Sequence, residues 1–226
     1  MNRALLFVAA ISGASSLKIA CVGDSITAGV TASDPEKTSY PAWLMSSAIY
    51  GNAEHEVLNL GVSGSTMLKD GDLPYWEQDA YQSAIDSDAD VFVIQLGTND
   101  AKTYQWNEAK YIDDYNSMIE SFASLRSPSP DIWISIPPPL YLDNIYDMNM
   151  TAINEGLPTI IPFINDENDS VTGVIDVFSA LGGAELSKYE FFCNGQNCDQ
   201  CHPNDMGYSV MAAEVYKALF MAGVGP

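Results

Sequence analysis

Ile19-Ala20-Cys21-Val22-Gly23-Asp24-Ser25-Ile26-Thr27 runs a short apolar segment straight into a Gly-Asp-Ser turn. A segment of this kind reads as a buried strand, and open α/β sheets bind their ligands at the carboxyl ends of their strands. Ser25 then stands where a nucleophile is useful. Taken alone, the stretch equally describes a plain strand-to-helix turn capped by Asp24 or Ser25. The rest of the chain decides between the two.

Upstream, Met1-Asn2-Arg3, the apolar run Ala4 to Ile11 and the small residues Ser12 to Ser16 follow the order of a secretory leader. The expected organisation is a leader over residues 1–16 and one domain over residues 17–226, exported from the cell. The leader's apolar run is too short to span a bilayer, and no later segment is long and apolar enough, so no stable membrane insertion is expected. Downstream, the spacing predicts strands over Leu17–Val22, Glu56–Leu60, Val91–Leu96, Asp131–Ile136 and Val174–Val177. It predicts helices over Tyr40–Tyr50, Pro74–Ile85, Asn107–Leu125, Ile153–Ile164 and Asp205–Ala222. Alternating strands and helices imply crossover connections, hence an α/β fold: a three-layer α/β/α sandwich around a parallel five-stranded sheet.

The charge narrows the partners. With 30 acidic against 9 basic residues the formal net charge is -21, which repels polyanions and makes nucleic acid a poor partner. A neutral small-molecule or glycan substrate is easier to accept. An adaptation to a salty medium gives the same excess of acid, and oligomeric state is not legible from the sequence.

Four stretches fall at predicted strand ends or just before the last helix: Ser25, Gly61, Asn99, and Asp199 with His202. Loops at one sheet edge converge, so residues far apart in sequence can share a site. A serine needs a base to take its proton. The base needs an acid to fix its tautomer, and the oxyanion needs donors. Here His202 is the base, Asp199 the acid, and the N–H groups of Ser25 and Gly61 with the Asn99 amide are the donors. No cofactor or metal is required.

Gly23-Asp24-Ser25, Gly61, Gly97-Thr98-Asn99-Asp100 and Asp199-Gln200-Cys201-His202-Pro203 together resemble the four blocks of the SGNH (GDSL) hydrolase family, in order and over nearly the whole chain from Leu17 to Phe220. The resemblance implies a flavodoxin-like sheet, Ser25 as nucleophile, His202 with Asp199 as base and acid, and Ser25, Gly61 and Asn99 around the oxyanion. Among subfamilies, Asn59-Leu60-Gly61-Val62-Ser63-Gly64 and Gly97-Thr98-Asn99-Asp100-Ala101-Lys102 look most like small secreted esterases that deacetylate sugars. Lipases, lysophospholipases and thioesterases of the family are the alternative. Tyr75, Trp76, Tyr104 and Trp106 offer rings for stacking on a sugar, or for packing against the sheet.

Three rival readings compete. Cys198-Asp199-Gln200-Cys201-His202 spells a c-type haem attachment motif, with His202 as iron ligand. Cys193, Cys198, Cys201 and His202 are ligand types for a zinc knuckle. An export context favours instead a disulfide from Cys193 to Cys198 or Cys201, with Cys21 a small core residue. A carbohydrate-binding relative without turnover keeps the fold but has no use for a serine, a histidine and an acid together.

Overall fold

The computed structural model describes residues 16–46, 55–185, 190–192 and 199–221. The proposed leader, Cys193 and Cys198 lie outside these residues. Strands β1 (Lys18–Gly23), β2 (Glu56–Gly61), β3 (Val91–Gln95), β4 (Asp131–Ile136) and β5 (Gly173–Asp176) pair in parallel, in the order β2-β1-β3-β4-β5. This is the flavodoxin-like order expected, and its topological switch point lies between β1 and β3. Ser25 follows β1 and Asn99 follows β3, so the sheet itself brings the first and third motifs together.

The alternation along the strands builds two cores. Ala20 and Val22 of β1 and Phe92 and Ile94 of β3 face one side, while Ile19, Cys21, Val91 and Val93 face the other. The first side is covered by α4 (Asp79–Ile85), α5 (Glu108–Ala123) and α6 (Leu157–Glu167). The second is covered by α3 (Tyr40–Leu44), the short α7 (Val177–Ala180) and α8 (Asp205–Met221). Ahead of these in the chain come α1 (Ser25–Ala28), packed against β1 and β2, and α2 (Pro35–Thr38), packed against α3.

Helix α5 shows how sequence spacing becomes placement. Tyr111, Tyr115, Met118, Ile119 and Phe122 repeat at three and four residues and are all buried, behind an Asn107 cap on the Lys110 N–H. Phe122 stacks on Phe92 at 4.4 Å, while the Tyr111 and Tyr115 hydroxyls donate to the Leu96 and Ile94 carbonyls. These bonds satisfy backbone acceptors at the end of β3 and fix the strand from which Asn99 leaves.

Three predicted helices differ. Tyr40–Tyr50 is helical only over Tyr40–Leu44, and its residues 47–50 lie outside the described ones. Pro74–Ile85 breaks into a 3₁₀ turn, Tyr75–Glu77, and α4, with Gln78 extended between them. The Tyr75 hydroxyl donates to Leu60 O and the Trp76 indole to Met67 O, anchors that override continuous helical spacing. The segment before α6 winds as a π-helix over Ala152–Gly156. Pro158 and Pro162 lack the N–H groups a regular ladder needs.

Candidate active site

Ser25 opens α1 directly from β1. The Asp24 side chain caps this turn by accepting from the Ile26 N–H at 2.9 Å, and Gly29, with φ 89°, ends it. The Ser25 N–H has no protein acceptor among the described residues. At the other end of the chain Asp199 makes a local Asx turn, its Oδ1 accepting from the Cys201 and His202 N–H groups at 3.0 and 2.8 Å. That turn aims the imidazole.

His202 Nδ1 lies 2.5 Å from Asp199 Oδ2, and Nε2 lies 2.8 Å from Ser25 Oγ. Burial pushes the Asp199 carboxyl upward, but hydrogen bonds from the His202 ring and backbone and the Cys201 N–H outweigh it and hold the acid at about 2. Being ionised, it can only accept, so Nδ1 carries the proton and Nε2 is free to take one from Ser25. The loop is pinned beside α1: Thr31 Oγ1 donates to Pro203 O at 2.7 Å and the Tyr208 hydroxyl to Val30 O at 2.7 Å.

Asn99 is buried in the same cleft. Its Nδ2 donates to Ser65 O at 3.1 Å and, over a longer 3.3 Å, to Asp24 Oδ2. Gly61 does not join this group, which corrects the sequence expectation. It is still in register with Gly23 in the sheet, its N–H donates to Asn59 Oδ1 at 3.1 Å, and it borders a different cavity. Gly64, three residues on, lines the cleft with Ser25, Asn99 and His202. It sits at φ 87°, where side chains are strained, and its N–H has no protein acceptor among the described residues. The sequence signal was the second glycine of the turn. Strand pairing, which fixes the direction of the Gly61 N–H, is what the sequence did not display.

Gly61 is needed for packing instead. A Cβ there would sit 2.2 Å from the Ala28 backbone N, where α1 crosses β2. Gly61→Ala is therefore expected to cost about 3 kcal/mol and lower the melting temperature by about 6–12 °C. A thermal melt checks this, and an unchanged melt with lost activity would return Gly61 to the oxyanion.

Two buried acids flank the site. Asp100 accepts from the Leu68 and Met67 N–H groups at 2.7 and 3.0 Å, holding the loop after β2 against the one after β3. Burial raises Asp24 from 3.8 to about 6 and Asp100 from 3.8 to about 7, against their hydrogen bonds. Between 3.8 and these values the folded protein keeps protons that the unfolded chain has lost. Their contribution to stability is therefore full on the acidic side and is lost as pH rises through the folded values. Asp199, held at about 2, works the opposite way: its contribution is full above 3.8 and lost only in stronger acid. The melting temperature is expected to peak at about pH 4–5 and fall by pH 8; melts across that range in one buffer system test it, and a rising curve would contradict it.

A model of the GDSL-like lipase/acylhydrolase family matches residues 21–210. The chain belongs to this family. Over 106 residues, 46% of this chain, it is 40% identical to an acetylxylan esterase of Xylanibacter ruminicola, and the match covers 22% of that relative's length. Among solved structures, an acetyl xylan esterase superposes with TM-score 0.66 at 19% identity, covering 90% of this chain and 100% of that one. A carbohydrate acetylesterase family member from Sinorhizobium meliloti superposes with TM-score 0.63 at 18% identity, covering 91% and 98%. At such identities the likeness is one of fold.

With membership of the GDSL-like lipase/acylhydrolase family established, the haem and zinc readings give way on geometry. Both ring nitrogens of His202 are engaged by Ser25 and Asp199, and Cys201 is a buried free thiol 4.0 Å from the Met148 sulfur. That free thiol also corrects the Cys193–Cys201 pairing, while a Cys193–Cys198 bridge lies outside the described residues. Cys21 is buried in β1, where burial pushes its thiol up to about 12. Of the four aromatic candidates, Tyr75 is fully buried and Trp76 and Trp106 pack on the core. Only Tyr104 faces the cleft of this GDSL-like hydrolase, joined by Tyr146, which no motif had marked.

Proposed function

We propose that this hydrolase removes acetyl groups from carbohydrates, through an acyl-enzyme on Ser25. The observation that carries the chemistry is the continuous line from Asp199 Oδ2 through His202 to Ser25 Oγ, at 2.5 and 2.8 Å. His202 Nε2 takes the Ser25 proton as Oγ attacks the ester carbonyl, and the imidazolium so formed faces the ionised Asp199. The Ser25 and Gly64 N–H groups and the Asn99 amide receive the oxyanion. As the intermediate collapses, the bond to the alcohol breaks and His202 protonates the leaving oxygen. Water, deprotonated by the same nitrogen, then attacks the acyl-enzyme, releasing the carboxylic acid and returning the proton to Ser25.

The choice of an acetylated sugar is supported by the acetylxylan esterase relative. It is also supported by a cleft in which Lys102 Nζ lies 2.5 Å from Asp72 Oδ2, so its charge is cancelled. Export fits both a polymeric substrate and the leader-like residues 1–16. The test is hydrolysis of p-nitrophenyl esters from acetate to decanoate, with acetate release from acetylated xylan. Preference for acetate and release from xylan are expected. A maximum at the long esters would move the assignment to lipase or thioesterase, and inactivity on every ester would remove it.

A further inference from the structure

Tyr104 and Tyr146 line the cleft that holds Ser25, Asn99 and His202, a space of about 450 Å³. Both are large aromatic side chains left mostly in solvent, 62% and 53% exposed. Burial therefore explains neither. Each ring is nevertheless held by its hydroxyl: Tyr104 donates to Asp72 Oδ2 at 2.9 Å, and Tyr146 to Asp199 Oδ2 at 3.2 Å.

Their backbones are fixed as well. Tyr146 sits at φ 52°, with Asp147 at 63° after it and Asn144 at 61° two residues before, three left-handed residues without glycine whose cost the surrounding bonds offset. Those bonds run to the other tyrosine's arm. Thr103 N–H donates to Asp147 O at 3.0 Å, Asn149 N–H to Ala101 O at 2.9 Å, and Lys102 bridges Met148. The two arms are thus stitched into one frame with the Asn99 loop, where Gln105 Nε2 also donates to Asn99 O at 2.8 Å.

We propose that Tyr104 and Tyr146 are the walls of a subsite for the sugar ring that bears the ester, an inference that rests on the carbohydrate reading above. A pyranose offers an apolar C–H face and a rim of hydroxyls. Exposed rings already tethered lose little freedom when they contact that face. The Lys102–Asp72 pair beside Tyr104 supplies a donor and an acceptor for the rim without net charge. A fatty chain would gain nothing from that pair, and an anionic head group would meet a cation already neutralised. Tyr146 shares its oxygen on Asp199 with His202, so this wall is joined directly to the group that orients the base.

The test compares kcat/KM for acetylated xylo-oligosaccharides with kcat/KM for ethyl acetate, which has no ring to stack. In Tyr104→Ala the ratio of the two is expected to fall about tenfold, mainly through KM for the sugar ester, matching the loss of one aromatic contact. Tyr104→Phe keeps the ring and should lower the ratio by no more than about threefold. Equal losses on both esters, leaving the ratio unchanged, would overturn the subsite. A wild-type protein that cleaves ethyl acetate but no sugar ester would defeat the carbohydrate reading instead. The subsite is then judged by calorimetric binding of xylotetraose to Ser25→Ala protein: binding weakened by adding Tyr104→Ala supports it, and no binding overturns it.

Discussion

Ser25→Ala is expected to lower kcat for p-nitrophenyl acetate by about four to six orders of magnitude, with a melting temperature close to that of the parent. Among the described residues the hydroxyl makes one bond, to His202 Nε2, so its removal leaves the fold's other contacts in place. Asp199→Asn should cost about three to four orders, for a reason legible in its bonding. Oδ1 accepts from two backbone N–H groups and Oδ2 from the His202 ring and the Tyr146 hydroxyl. An amide must turn its own N–H₂ toward one of those donor pairs. Either the turn that aims His202 is broken, or the imidazole is pushed into the tautomer that cannot accept from Ser25. Because the residues act as a unit, Ser25→Ala/Asp199→Asn should be hardly worse than Ser25→Ala alone. Steady-state kinetics on the three proteins decides it: full activity in Ser25→Ala would end the acyl-enzyme mechanism, and additive losses would end the triad as a unit.

Asn99→Ala is the second large effect, about 10²- to 10³-fold in kcat with little change in KM, since its amide is wanted when charge develops on the carbonyl oxygen and not before. The same change removes donors from Ser65 O and Asp24 Oδ2, both buried, so stability should also fall, by about 1–3 kcal/mol. The two consequences separate by measurement. Kinetics at a temperature well below the mutant's melt reads the catalytic loss, and the melt reads the other. A mutant with raised KM and unchanged kcat would assign Asn99 to substrate binding and remove it from the oxyanion site.

The parts of the site visible in the sequence were those with local causes. Asp199 and His202 are three residues apart and their geometry is an Asx turn, so the pair could be read directly. Ser25 was marked by the strand before it and the cap beside it. Gly64, Tyr146 and Asp72 were not marked, because each takes its role from a partner 30 or more positions away or from the hand of a turn. Tyr75 and Trp76 look like stacking rings in the sequence because composition reports an aromatic side chain and not which way it points. Their polar atoms find Leu60 O and Met67 O, and the rings go inward.

By itself the sequence determined the sheet. Apolar runs of strand length, alternating with amphipathic helices, can bury both faces only as a layered parallel sheet, and this requirement acts through period and composition. It also determined that a serine, a histidine and an acid would meet at one edge. The tertiary structure alone decided which glycine borders the Ser25 cleft, since Gly61 stays in the strand with its N–H on Asn59 Oδ1 while Gly64 sits in the turn beyond it at φ 87°. It alone decided the substrate-facing wall, because Tyr104 and Tyr146 come from loops whose approach depends on hydrogen bonds between backbones and not on any pattern along either one.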